Sequence, residues 1–235
     1  MRCRGQAREG RRGLQLPRSE SSVTKLGVMG GTFDPIHHGH LVTAEEARAQ
    51  FGLDGVIFVP NRHPPHKDPA DVTDPEDRYL MTFLATVSNP YFSVSRVEID
   101  RPGPSYTIET IRALAAHSPH ADLYYITGAD AILQILRGEW EQSPQLLGLC
   151  QFIAATRPGF TLDLDTLRRN NCTGRPLENV HKMTIPAMAI SSTEIRARVR
   201  DSRPIKYLVP EAVESYIAKH SLYGWLTPSG STTGG

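Results

Sequence analysis

The chain has 235 residues, 39% hydrophobic and 22% charged, enough for one globular domain, with or without a small lobe, that buries a full core without covalent staples. Its three cysteines (Cys3, Cys150, Cys172) lie far apart with no CxxC pair, which argues against a disulfide framework or a zinc-thiolate centre and fits a reducing cytoplasm; no apolar run nears the roughly 18 to 20 residues that span a bilayer. With 26 basic against 25 acidic residues, the net charge of +1 gives no global field for nucleic acid, so any anion site has to be local.

In chain order, residues 1–22 are rich in Arg, Gly and Ser with little to bury, and read as a disordered basic extension with no secretory apolar core. KLGVM (25–29) reads as a short strand leading into two glycines. In HLVTAEEARAQF (40–51), Leu41, Ala44, Ala47 and Phe51 share one helical face. VIFVP (56–60) is a continuous apolar run ended by Pro, as in a strand covered on both faces. Asp74, Pro75 and Glu76 supply a cap, a first-turn Pro and an acidic first turn for a helix over 76–88. FSVSRVEI (92–99) alternates like a strand, YTIETIRALAAH (106–117) reads as a helix, and LYYIT (123–127) and FIAAT (152–156) as strands. The tail 227–235 reads as floppy, leaving one domain over 23–226. Strand–helix alternation with short connections predicts an α/β fold: a Rossmann-like doubly wound parallel sheet with a small C-terminal helical part and its site at the carboxyl ends of the strands.

The opening motif, GGTFDPIHHGH (30–40), falls at such an end. Gly30 and Gly31 let the chain turn sharply and let a ligand approach backbone N–H groups. A helix starting near Pro35, capped by Asp34, would place Gly39 inside it at a cost of about 0.5–1 kcal/mol, tolerable where something packs against the helix, for instance a nucleotide base. His37 and His40, three apart, share a face at a helix start, where phosphate is a better partner than metal. Zinc would need a third protein ligand, and the spare His63 and His66 sit in the Pro-rich loop NRHPPHK, so no metal-binding residue is expected. A second constellation is ISSTEIRARVR (190–200): Ser191 and Glu194 match a capping box, and Ser192, Thr193 and Arg196 add hydroxyls and a guanidinium, a second anion cradle.

These two stretches resemble the GGTFDPxHxGH and ISSTxIR signatures of the HxGH nucleotidyltransferase group, which shares HxGH with class I aminoacyl-tRNA synthetases. Within that group the chain is most similar to the bacterial nicotinate-mononucleotide adenylyltransferases, with further support from PPHK (64–67), RYLM (78–81), PSYTIETIRAL (104–114), ITGADAI (126–132) and ATRPG (155–159). The resemblance implies transfer of the adenylyl group of ATP to nicotinate mononucleotide, giving deamido-NAD and pyrophosphate, with magnesium carried on the ATP phosphates. It implies no nucleic-acid or membrane partner and leaves a homo-oligomer open.

Carried over by position, His37, His40 and Arg196 would be catalytic. Gly30, Gly31, Thr32, Phe33, Gly39, Gly128, Asp130, Ser192 and Thr193 would join them around ATP. Thr32, Phe33, Lys67, Thr107, Trp140 and Arg157 would face the mononucleotide. One departure stands out: the Trp that the family places about ten residues after the Gly of GAD is here Gly138, the nearest being Trp140. Other acceptors (nicotinamide mononucleotide, phosphopantetheine, flavin mononucleotide) and a non-catalytic nucleotide-binding module are the alternatives.

Overall fold

Parallel pairing of six strands dominates the computed structural model, which describes residues 24–64, 68–156, 162–186 and 188–225. The elements are β1 (Thr24–Gly31), α1 (His38–Phe51), β2 (Gly55–Pro60), α2 (Pro75–Thr86), β3 (Phe92–Val94), α3 (Thr107–His117), β4 (Ala121–Gly128), α4 (Ala129–Leu136), α5 (Ser143–Leu146), β5 (Gln151–Thr156), α6 (Leu164–Asn170), β6 (Val180–Thr184), α7 (Ser192–Arg200) and α8 (Glu211–Lys219), with short 3-10 turns at Pro69–Asp71 and Leu222–Gly224. Strand order is β3-β2-β1-β4-β5-β6, all parallel, which reverses direction between β1 and β4. That reversal is the switch point at which doubly wound sheets bind ligands.

Register shows how the crevice opens. β1 and β4 pair only as far as Val28 and Tyr125. Past that level β1 continues against β2 to Gly31, opposite Pro60, while β4 continues against β5 to Gly128, opposite Ala155. The two central strands therefore part at their carboxyl ends.

Alternation along the strands feeds two cores, because successive side chains point to opposite faces. Met29, Phe58, Ile126 and Ile153 join Ala44 and Ala47 of α1, Met81 of α2, Ile195 of α7 and Ile217 of α8 on one face. Val28, Val59, Tyr125 and Phe152 join Ile108 and Ile111 of α3, Ile132 and Ile135 of α4 and Leu167 of α6 on the other. Among the described residues, no helix is long and apolar enough to cross a membrane.

Two expectations need correction, and one strand had none. β3 stops at Val94 rather than running to Ile99: Ser95 makes a last bond to the Phe58 carbonyl, and Arg96 then ties to Asp100 and Glu76 across a turn. Helix α1 starts at His38, not near Pro35, because the Asp34 carboxylate is occupied elsewhere, accepting from the Tyr223 hydroxyl (2.7 Å) and the Thr73 amide (3.3 Å). The strand β6 (VHKMT) was not foreseen, being short and carrying His and Lys at an edge. Asp74 does cap α2, accepting from the Glu76 amide at 2.8 Å. The extension 1–22 and the tail 227–235 lie outside the described residues.

Candidate active site

Two helix N-termini meet at the crevice. β1 runs on as strand through Gly30 and Gly31 rather than turning at them. α1 follows the loop after β1, with His37 as its extended N-cap (φ −147°, ψ 170°), and α7 begins at Ser192, its N-cap Ser191 accepting from the Glu194 amide at 3.2 Å. Glu194 does not complete a capping box, since its carboxylate is taken by Arg198 (2.9 Å) and Arg203 (3.3 Å). The segment is fastened by Ser192 Oγ donating to the Pro35 carbonyl (2.8 Å), Arg196 Nη1 donating to the Asp34 carbonyl (2.7 Å) and the His38 amide donating to the Leu208 carbonyl (3.1 Å). Exposed amides and two helix dipoles then favour an anion between the two ends.

The histidines are held in a defined state. The His37 amide donates to His40 Nδ1 at 3.2 Å, so Nδ1 is the acceptor and a neutral His40 carries its proton on Nε2. The two rings stack at 3.7 Å between centroids, and the Phe33 ring meets His40 edge-on at 5.1 Å. Burial, and then the charge of neighbouring His37, hold the His40 pKa well below its ordinary value of 6.5. His40 is therefore a neutral Nε2–H donor across the physiological range.

A cavity of about 420 Å³ lies over this helix start, lined by Gly30, His37, Gly39, His40, Gly128 and Ser192 among others. Gly39 has a reason that needs no ligand: a Cβ there would come within 3.0 Å of the His37 ring. A second cavity of about 450 Å³ lies across β1, lined by Gly30, Gly31, Thr32, Asn61, Thr107 and Trp140, with Tyr125 and the carboxylates of Glu98, Glu139 and Glu141. Among the described residues, Gly30 is the one that lines both.

The predicted residues separate accordingly. Gly31 and Thr32, expected around ATP as well, line the second cavity alone. Phe33 lines neither: with φ +49° its ring turns inward, 2% exposed, and packs against Phe58. Asp130 and Thr193 are exposed in the first turns of α4 and α7, outside both linings. Arg196 is docked on Asp34 beside the first cavity rather than lining it. Trp140 lines the second cavity, edge-on to Tyr125 at 6.4 Å, its Nε1–H donating to Gln134 at 3.1 Å. Lys67 and Arg157 lie outside the described residues.

Sequence reasoning missed Arg78. Fully buried on α2, it donates to the carbonyls of Thr32 (2.7 Å), Thr73 (2.8 Å) and Arg62 (3.1 Å) and to Asn61 Oδ1 (3.3 Å), tying the turn after β1 to the loop after β2. It missed Tyr125 and Glu98 too. Tyr125 stands in a strand whose apolar pattern accounts for it, and Glu98, kept above its ordinary pKa by burial, takes a hydrogen bond from Thr110.

The shared glycine allows a test. A Cβ at Gly30 would meet Tyr125 Oη at 2.9 Å, and Tyr125 is wedged against Phe152 and Trp140. Gly30→Val is expected to lower kcat/KM for both substrates about tenfold or more, since small displacements of reacting groups are costly. Steady-state kinetics with each substrate varied would show it, and a loss confined to one substrate would contradict the shared-wall geometry.

The cytidylyltransferase-like family model matches residues 28–198, the stretch that holds both histidines and the second cradle. The chain belongs to that family. Among cytidylyltransferase-like relatives, a protein of Moorella thermoacetica named a probable nicotinate-nucleotide adenylyltransferase is 56% identical over 200 residues, covering 85% of this chain and 91% of its own. One of the same name from Streptomyces coelicolor is 54% identical over 195 residues, covering 83% and 98%. The solved structure of Plasmodium falciparum nicotinic acid mononucleotide adenylyltransferase complexed with NaAD superposes with a TM-score of 0.69 at 19% identity, covering 86% of this chain and 98% of that one. At that identity the likeness speaks for the cytidylyltransferase-like fold alone.

Proposed function

We propose that this chain is a nicotinate-nucleotide adenylyltransferase of the cytoplasm, joining ATP and nicotinate mononucleotide to form deamido-NAD and pyrophosphate in NAD biosynthesis. The observation that carries the reading is the pair of nucleotide-sized cavities meeting over Gly30 at the parted ends of β1 and β4. ATP occupies the cavity beneath the α1 and α7 N-termini, and the acceptor occupies the one walled by Thr32, Thr107 and Trp140.

The chemistry suits these residues. The phosphate of a mononucleotide is already ionised near neutral pH, so it attacks the α-phosphate in line without a strong base or a covalent intermediate. Alignment and charge stabilisation do the rest. His40 donates from Nε2 to the α-phosphate oxygens as charge redistributes, and the backbone amides of Ser192 and Thr193 at the α7 N-terminus receive the departing pyrophosphate. No carboxylate stands among the described residues lining the ATP cavity, so magnesium would be held by the nucleotide's own phosphate oxygens and water, with the Ser192 hydroxyl nearby. When bound, the ion offsets charge on the polyphosphate.

From the second cradle, Arg196→Ala is expected to raise the KM for ATP about tenfold, the scale of a lost charge-assisted hydrogen bond, with a smaller change in kcat. An unchanged ATP KM would remove Arg196 from the site.

A second reading keeps the chemistry and changes the acceptor. The described lining of the acceptor cavity carries Glu98, Glu139 and Glu141 and no cationic side chain, which favours the cationic pyridinium of nicotinamide mononucleotide over the nicotinate ring, whose carboxylate cancels that charge. Pyrophosphate release with Mg-ATP and each mononucleotide, with the dinucleotide identified by mass, decides between them. Preference for nicotinate mononucleotide supports the first reading, equal use or preference for nicotinamide supports the second, and no release with either overturns adenylyl transfer.

A further inference from the structure

Asp34 is 2% exposed and sits where the loop after β1, α7 and the C-terminal segment meet. Its carbonyl holds Arg196 at 2.7 Å, and its carboxylate Oδ2 lies 3.9 Å from the same guanidinium nitrogen, Nη1. A buried carboxylate this close to a cation would pull it into a tight pair. Here it does not, because Oδ1 is taken at 2.7 Å by the hydroxyl of Tyr223 and Oδ2 accepts the Thr73 amide at 3.3 Å. Arg196 Nε and Nη2 bond to none of the described residues.

Tyr223 reaches Asp34 from 189 positions away along the chain, and it does so from a strained backbone. Its φ of +60° places a non-glycine residue in the left-handed region, as does Ser221 at +51°, while Gly224 follows at +81°. Such conformations persist only where surrounding contacts over-determine them. Burial and the adjacent Asp34 charge raise the Tyr223 pKa far above its ordinary value, so the hydroxyl is always a donor.

We infer that Tyr223 is a positioning residue: by satisfying the Asp34 carboxylate it keeps that charge from capturing Arg196, and so leaves the guanidinium available to the polyphosphate. The inference rests on the adenylyl-transfer reading and assigns the C-terminal turn a part in it. Without the hydroxyl, Asp34 Oδ1 is a buried acceptor without its strongest donor, and the nearest cation that can replace it is Arg196.

The test is Tyr223→Phe, which removes one oxygen from the full-length protein. The KM for ATP is expected to rise fivefold or more, the KM for the acceptor to stay within twofold, and the affinity for magnesium pyrophosphate, read by titration calorimetry, to fall by the same factor as ATP. In an Asp34→Asn background the phenylalanine is expected to cost less than twofold, since no charge then competes for Arg196. A lower melting temperature with unchanged KM values and unchanged pyrophosphate affinity would make Tyr223 merely structural and overturn the inference. Should Tyr223→Phe not fold, the Asp34→Asn/Tyr223→Phe double variant decides: its pyrophosphate affinity is expected to stay within twofold of Asp34→Asn, and a loss of fivefold or more overturns the inference. Wild-type protein that releases no pyrophosphate with any mononucleotide sinks the functional reading, whereas active wild type with an unaffected Tyr223→Phe sinks this inference alone.

Discussion

His40→Ala is expected to lower kcat by about 10²-fold or more while changing the KM for ATP far less, as for loss of a donor that acts mainly in the transition state. The expectation comes from the state in which the fold holds the ring. Nδ1 is committed to the His37 amide, so Nε2 bears the proton, and the ring lines the cavity beside the α1 N-terminus. His40→Gln, which keeps an N–H donor, should recover part of the loss. Rapid-quench or steady-state kinetics on the three proteins would check it, and a kcat within threefold of wild type in His40→Ala would remove the role.

The same ring makes a pH prediction of definite sign. Burial lowers the His40 pKa in the folded protein, so below pH 6.5 the unfolded chain binds a proton that the folded chain refuses. Its contribution to stability is complete above 6.5 and declines as the pH falls from there toward the depressed folded value. Urea midpoints at pH 5 and 7.5 should therefore differ more for wild type than for His40→Gln. Catalysis itself should show no step near pH 6.5 belonging to His40, because the neutral form already predominates there.

The parts of the site read from the sequence are those in which local geometry and chemistry coincide. His37, His40 and Ser192 lie within a turn of the helix starts they serve and Gly30 lies at the carboxyl end of β1, so residue type and spacing bring them to one cavity. Hydrophobic periodicity likewise marked the four central strands, whose flanking helices leave them little choice of face. Other parts depend on contacts that no window of sequence contains. Asp34 looks like a helix cap until Tyr223, 189 positions later, is found on its carboxylate. Phe33 belongs to a nucleotide signature, yet its ring packs in the core under His40. Arg78 on α2 reads as one more charge on a helix, and only the fold shows that its guanidinium faces inward, to backbone 46 positions earlier.

Arg78 carries the largest stability prediction. It is fully buried, and its charge is matched by three main-chain carbonyls and one amide oxygen rather than by a carboxylate in contact. Arg78→Met keeps much of the side-chain volume and removes all four hydrogen bonds, leaving buried acceptors that each cost about 1–3 kcal/mol when unsatisfied. Water entry and relaxation reduce a simple sum, so a loss of about 3–5 kcal/mol is expected, typical of breaking a buried polar network. For a domain of this size that is a fall in melting temperature of about 6–20 °C. Because Thr32 and Asn61 also line the cavity proposed for the acceptor, protein that remains folded should show a raised KM for the mononucleotide and a smaller change for ATP. Arg78→Lys, which keeps the charge but cannot span three carbonyls, should fall between the two in both respects. Differential scanning calorimetry reads the first effect and kinetics with either substrate varied reads the second. A melting shift below about 3 °C in Arg78→Met would mean that water replaces the guanidinium at little cost, and that the two loops are fixed by other contacts.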